Sequence, residues 1–204
     1  AFKKFTVEDW SERLHKLVKS KNEQIAICTY MDRFVDIIRH ESRTNSLPYW
    51  PYSASDNVGN AINSFPNHII SNSSIQQISF QSRYNAVEPE EVAIRLYENI
   101  ANGSGLDISM MGDMRGYEDE RNYGVIKKIY THHKKYEPYF GNYKSVAKIA
   151  VVAPGAWPSG NPMQEYRGIQ LMLREAHLPF DLVEEAQIEH LAAKIKGYKV
   201  VILP

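Results

Sequence analysis

From Lys144 onward the chain alternates between apolar runs of strand length and segments of helical pattern, and few folds accept that order. Ala147 to Ala153 is a near-continuous apolar run. A helical pattern follows around Tyr166 to Ala176, then a short run Phe180 to Val183, a second helical pattern Glu185 to Lys196, and a closing run Lys199 to Leu203. Strands that are apolar along their whole length need cover on both faces, so this segment predicts an open, doubly wound parallel sheet. The chain opens at Ala1 without an initiator Met and stops at Val200-Val201-Ile202-Leu203-Pro204, which reads as a buried strand at its last residue. Such a strand needs neighbours and covering helices. The expectation is therefore a piece of a longer protein, with an aggregation-prone sheet edge at Val200 to Leu203.

Upstream, Val7 to Lys19 places Trp10, Leu14, Leu17 and Val18 on one stripe at helical spacing, with Thr6 and Asp9 resembling an N-cap. Gln24 to Tyr30 and Val35 to Arg39 read as strands separated only by Met31 to Phe34. A parallel pair normally needs a crossover of about ten or more residues, so either these two form a hairpin or a repeating unit has lost its helix. The aromatic loop Asn45 to Tyr52 leads into a short helix, Ser55 to Ser64, which Pro66 ends. His68 to Asn72 reads as a strand running into a long polar loop. Pro89, followed by Glu90 and Glu91, opens a helix closed by Asn102-Gly103. Leu106 to Met111 is the next strand, and a helix covers Arg121 to about Tyr136.

Composition mainly excludes. Twenty-four Lys and Arg balance twenty-four Asp and Glu, which argues against a sequence-independent grip on nucleic acid. No window approaches the length of apolar sequence that crosses a membrane. Cys28 is the sole cysteine, so neither an intrachain disulfide nor a cysteine-built zinc site is expected. His132 and His133 are adjacent and do not share a helix face, so no metal pair is expected. Pro154 to Gly160 lacks G-x-G-x-x-G spacing, leaving nucleotide binding without support and a subunit contact as the plainer role. No cofactor is implied.

The stretch from about His68 to Pro204 resembles the C-terminal part of clan A glycoside hydrolases related to the family 42 β-galactosidases. Three passages carry the likeness: PEEVAIRLYENIANGSGLDISMMGDM, ERNYGVIKKIYTHHKKYEPYF, and the series KSVAKIAVVAP, LREAHLPFDLVEEAQI and GYKVVILP. The resemblance implies an α/β chain in which residues 1–143 are the second half of a (β/α)8 TIM barrel. Residues 144–204 would begin a flavodoxin-like, class I glutamine-amidotransferase-like trimerisation domain. It also implies hydrolysis of O-glycosidic bonds in a β-galactoside or related carbohydrate, and a homotrimer as the full-length protein.

In such barrels the working groups sit at the C-terminal ends of strands. On the implied alignment those ends carry Arg39, His40, Glu41, Ser42 and Arg43; Asn72, Ser73 and Ser74; and Asp113 and Arg115. A retaining glycosidase needs two carboxyl groups about 5.5 Å apart. The resemblance puts the acid/base on a strand outside this sequence and matches the nucleophile to Asn72, whose amide cannot form a glycosyl ester. Three readings stay open: Glu41 is a displaced carboxylate held ionised by Arg39, His40 and Arg43; the strand assignment is off by one unit; or the protein binds sugar without cleaving it. The plain alternative for Glu41 is a salt-bridged loop residue. Asp113 and Arg115 are further candidate substrate contacts, Asp113 as a partner for a sugar hydroxyl or for Arg115; the plain alternative is an Asp that opens a turn. Arg83 is a further candidate substrate contact. Among Tyr49, Trp50 and Tyr52, Trp50 is expected to be the ring that stacks on a sugar. Taken alone, this stretch is expected to be inactive.

Overall fold

Parallel pairing organises the chain into two sheets. The computed structural model describes residues 2–42, 50–113, 115–141, 143–155 and 161–204. The first sheet has four strands in sequence order, β1 (Cys28–Thr29), β2 (Ile37–Ser42), β3 (Ile69–Ile75) and β4 (Gly105–Ser109), all parallel. The second has three parallel strands, β5 (Ile149–Ala153), β6 (Phe180–Glu184) and β7 (Val200–Ile202), with β5 in the middle. The helices are α1 (Phe2–Lys21), α2 (Ser53–Ser64), α3 (Pro89–Ala101), α4 (Tyr123–Tyr136), α5 (Asn161–Glu175) and the short α6 (Ala192–Ile195).

β1 and β2 pair in parallel with no helix between them, which decides against a hairpin. The tight crossover is held by Asp36, whose carboxylate accepts from Ile27 N at 2.7 Å and Lys19 Nζ at 2.9 Å. Phe34 takes a left-handed backbone at φ 61°.

α1 forms where its periodicity places it, but its apolar stripe does not meet the core: Trp10 and Leu17 are 62% and 58% exposed. The inward side carries buried Ser11 and half-buried Leu14, Val18 and His15, whose Nδ1 lies 3.1 Å from Phe34 O. A β1 of two residues offers little surface for the stripe to cover.

Strand alternation divides the first sheet into two faces. Ile38 and Ile70 turn toward α2 and pack with Ala61, while Leu106 and Ile108 turn toward Val92 and Leu96 of α3 and Ile129 of α4. On the opposite face, where none of the described helices packs, stand Arg39, Glu41, Ser71, Ser73 and Asp107. Between α3 and β4 the chain turns at Gly103, φ 93°, where a Cβ would come within 2.8 Å of Ile62 Cδ1. Both the backbone angle and the close approach require glycine there.

α2 ties the two sheets together. Besides covering β2 and β3 it packs on β6, where a Cβ at Gly59 would touch Leu182 at 3.4 Å. Ser64 Oγ accepts from Glu184 N at 2.9 Å, and Lys194 Nζ donates to Asn63 Oδ1 at 2.8 Å. One expectation for this region changes. The helix expected over Glu185 to Lys196 is a single 3-10 turn, Glu185–Gln187, followed by α6, and Glu185 is drawn aside to accept from Gly155 N at 2.8 Å. Among the described residues the closing strand pairs with β5 alone, leaving Val200 49% and Val201 39% exposed at the sheet edge expected there.

Candidate functional site on the open face

The register sets Glu41 beside Ser73 and Ser73 beside Asp107, so one row across three strands carries two carboxylates with a hydroxyl between them. Arg39, one step earlier on β2, reaches diagonally into this row. Its Nε donates to Asp107 Oδ2 at 2.9 Å and its Nη2 to Ser73 Oγ at 3.0 Å. Ser71 and Ser73 each donate to Asp107 at 3.2 Å. Three side chains thus serve one carboxylate, and the bond to Asp107 holds the Arg39 guanidinium above its ordinary value. Both partners are substantially covered, with the Arg39 side chain 30% and that of Asp107 23% exposed.

Glu41 has a different partner. Tyr30, immediately after β1, donates its hydroxyl to Glu41 Oε1, and the Arg39 guanidinium lies 5.9 Å from the Tyr30 ring centroid. Donation to that carboxylate raises the Tyr30 hydroxyl above its ordinary range, since a phenolate there would face the Glu41 charge. Glu41 therefore stands at the C-terminal end of β2 with one carboxylate oxygen engaged by a phenol.

The other residues expected at the site are placed elsewhere. Asn72 is fully buried on the helix-covered face. Its Nδ2 donates to Asn99 Oδ1 at 2.7 Å and Ser42 Oγ at 2.9 Å, and its Oδ1 accepts from Asn57 Nδ2 at 3.0 Å. It does not share a face with Glu41, and Ser71 and Ser73 hold the open-face positions of its strand. The strand expected to end at Asn72 runs on to Ile75, and alternation along it turns position 72 to the helices, away from the open face where a nucleophile would stand.

His40 also turns to the helices, where burial pushes its imidazole down from its ordinary value. Arg83 is exposed on its loop, its guanidinium 5.1 Å from the Tyr84 ring. Asp113 and Arg115 form an exposed pair at 3.2 Å, and Asp113 Oδ1 also accepts from Arg115 N at 2.9 Å, the turn geometry of an opening Asp. Arg43, Tyr49, the Trp50 side chain and the loop 156–160 lie outside the described residues. Among the described residues no three His, Cys, Asp or Glu side chains converge as a metal site would require.

Asp107 and Tyr30 were missed by sequence reasoning. A signal for Asp107 was present: in Leu106-Asp107-Ile108-Ser109 the polar residues alternate with apolar ones, marking a face that is not covered. No comparable pattern surrounds Tyr30.

The chain is similar in structure to alpha-L-fucosidase isoenzyme 2 from Paenibacillus thiaminolyticus, with a TM-score of 0.64 and 17% identity over 97% of this chain and 31% of that one. The likeness shows a fold. It supports the glycoside hydrolase fold expected from the sequence, in the coarse sense of a mixed α/β chain with parallel sheets, and does not extend to the family 42 β-galactosidases. This chain spans less than a third of that enzyme's length. No family model and no curated protein matches the sequence.

Proposed function

We propose that the chain is part of a glycoside hydrolase, with residues 1–143 forming the second half of its (β/α)8 barrel and residues 144–204 beginning a flavodoxin-like domain through which the whole protein trimerises. The row Glu41, Ser73 and Asp107 with Arg39, on the open face of consecutive parallel strands, carries this reading, because barrel enzymes build their sites at the C-terminal ends of such strands. The likeness to a fucosidase over nearly the whole chain supports it. Glu41 is the reacting carboxylate and Tyr30 holds its orientation. Asp107 is engaged by Arg39, Ser71 and Ser73, so it orients the guanidinium toward sugar hydroxyls rather than acting as the second catalytic carboxyl. Its distance agrees: two inter-strand steps separate Glu41 and Asp107 by roughly 9–10 Å of backbone, well beyond the ~5–5.5 Å of a retaining pair. The partner carboxyl belongs to another strand of the barrel.

The substrate class is a neutral pyranoside of galacto configuration, which fits a site whose donors are hydroxyls and one paired guanidinium. L-fucose is 6-deoxy-L-galactose, so fucosides and galactosides are the first substrates to test. The full-length protein should hydrolyse the 4-nitrophenyl glycoside of one of these, and Glu41→Gln should lower kcat about a thousandfold with the fold intact. Full activity in Glu41→Gln would remove Glu41 from the chemistry. One observation favours a second reading: β3 presents Ile69, Ser71, Ser73 and Ile75 to the open face, with no carboxylate. Calorimetric sugar binding without turnover of any glycoside would select that reading, a carbohydrate-binding protein on a glycosidase scaffold.

A further inference from the structure

Beyond Ile38, β2 has a parallel neighbour on one side only among the described residues, because β1 ends at Thr29 and its register with β2 stops at Ile38. The stretch that carries Glu41 is thus an edge, and a peptide carbonyl at an edge needs another partner. That partner is a side chain of α2. Asn57 Nδ2 donates to Glu41 O at 2.8 Å and also reaches Asn72 Oδ1 at 3.0 Å and Ser42 Oγ at 3.2 Å. Asn72 in turn is locked to Asn99 of α3, whose Nδ2 returns a bond to Asn72 O at 2.7 Å.

The residue before Asn57 is held from the other unit of the molecule. Asp56 Oδ1 accepts from Tyr166 OH at 2.6 Å and from Gln170 Nε2 at 3.1 Å, both on α5. Asn60, one turn further along α2, donates to Tyr166 OH at 2.8 Å and to Asp56 Oδ1 at 3.2 Å. Tyr166 and Gln170 are both fully buried. These bonds fix how far α2 is rotated about its own axis, and that rotation decides whether the Asn57 amide meets the Glu41 carbonyl.

We propose that Asn57 is a positioning residue for Glu41, and that α5 of the C-terminal unit sets this position through Tyr166 and Asp56. The site on the first sheet is then completed by the second unit, which acts as a brace on its carboxylate and not only as a subunit-contact module. The assignment of a reaction to Glu41 rests on the glycosidase reading; the mechanical link from Tyr166 to Glu41 does not.

Two variants of the full-length protein test it, Asn57→Ala and the milder Tyr166→Phe, which removes one hydroxyl and keeps the ring. Two readouts are needed. The first is steady-state hydrolysis of the 4-nitrophenyl glycoside, where each variant should lower kcat about tenfold while KM moves less than twofold. The second is the titration of Tyr30 by NMR with labelled tyrosine, assigned with Tyr30→Phe. Tyr30 is faced by Glu41, Arg39 and Asp107, and its midpoint should fall toward the ordinary 10.0 in both variants as Glu41 leaves its hydroxyl. If the wild type hydrolyses a glycoside and both variants keep its kcat and its Tyr30 midpoint, the brace is overturned and the glycosidase reading stands. If the wild type hydrolyses nothing but both midpoints fall, the brace stands and the glycosidase reading is lost. Should Asn57→Ala fail to fold, Tyr166→Phe decides by the same two measurements.

Discussion

The two sheets are built alike and used differently. Both are parallel and both rest against α2, yet β5 is buried on each face, with Val151 and Ala150 at 0% exposure and Val152 at 3%, whereas on β2 to β4 the described helices cover one face and Arg39, Glu41, Ser71 and Asp107 on the other stay half-buried. The open face of the first sheet carries Arg39 and Glu41, Ser71 and Ser73, Asp107 and Ser109, and in β4 these polar residues alternate with the apolar Leu106 and Ile108. A parallel strand covered on both sides has no reason to alternate. Alternation in a parallel strand therefore marks a face turned to a space, and here that space holds the charged row. The second sheet, with no such face, supplies packing and the brace on α2.

A charge placed in each sheet should separate these roles most sharply. Val151 packs with Tyr166, Leu173 and Leu182, and Val151→Asp buries a carboxylate with no partner. The expected cost is more than about 4 kcal/mol, enough to unfold the C-terminal unit in chemical denaturation. Folding at wild-type denaturant midpoint would show that β5 is not the interior strand described above.

The next largest effect lies within the first sheet, on its covered face. Asn72→Ala removes the side chain joining Ser42, Asn57 and Asn99 and takes from the buried Asn99 Oδ1 the donor it has in Asn72 Nδ2, at a cost of about 2–3 kcal/mol. A loss under about 0.5 kcal/mol would mean that the network is dispensable and that this face tolerates polar groups as the open face does.

How far these differences were legible depended on what each residue's neighbours advertise. α3 was plain because Pro89, Glu90 and Glu91 mark its start and Asn102-Gly103 its end, and those signals act locally. The C-terminal strands were plain because their apolar runs admit few other fates. β3 was not: Ser71, Asn72, Ser73 and Ser74 are all polar, so no apolar partner told one face from the other or showed that the strand runs past Asn72 to Ile75. The stripe on α1 misled for the opposite reason. Its periodicity is genuine, but only tertiary structure decides whether a stripe finds a surface to cover, and Trp10 and Leu17 find none among the described residues. Asp107 was passed over because attention fell on the strand end at Asp113, while the charged residue on the open face lies within the strand.

On the open face itself a charge change should be cheap in stability. Asp107→Asn keeps the shape and one acceptor for Arg39 while removing the ion pair, and for a pair still 23–30% exposed the loss should be about 1 kcal/mol. Urea unfolding should show that small shift, and glycoside hydrolysis by the full-length variant should show a raised KM as the guanidinium loses its orientation. A loss of stability matching that of Asn72→Ala would erase the distinction between the two faces.

The smallest expected effect tests the covered face by pH. His40 sits between β2 and the helices, where burial pushes its imidazole below the ordinary 6.5 and the nearby Asp56 charge only partly offsets this. The unfolded chain takes up a proton near 6.5 while the folded chain resists it, so the unfolded state binds more protons below that value and stability must fall as the pH drops. Above it both states are neutral at this residue and His40 contributes no slope. His40→Gln should therefore match the wild type's pH dependence of unfolding above about pH 6.5 and show a shallower fall below it. Urea midpoints measured at half-unit steps from pH 7.5 to 5 would show the difference as curves that run parallel and then diverge. Parallel curves throughout would mean that His40 protonates as readily in the fold as out of it, and that the helix-covered face at the end of β2 is as open to water as the face that carries Glu41.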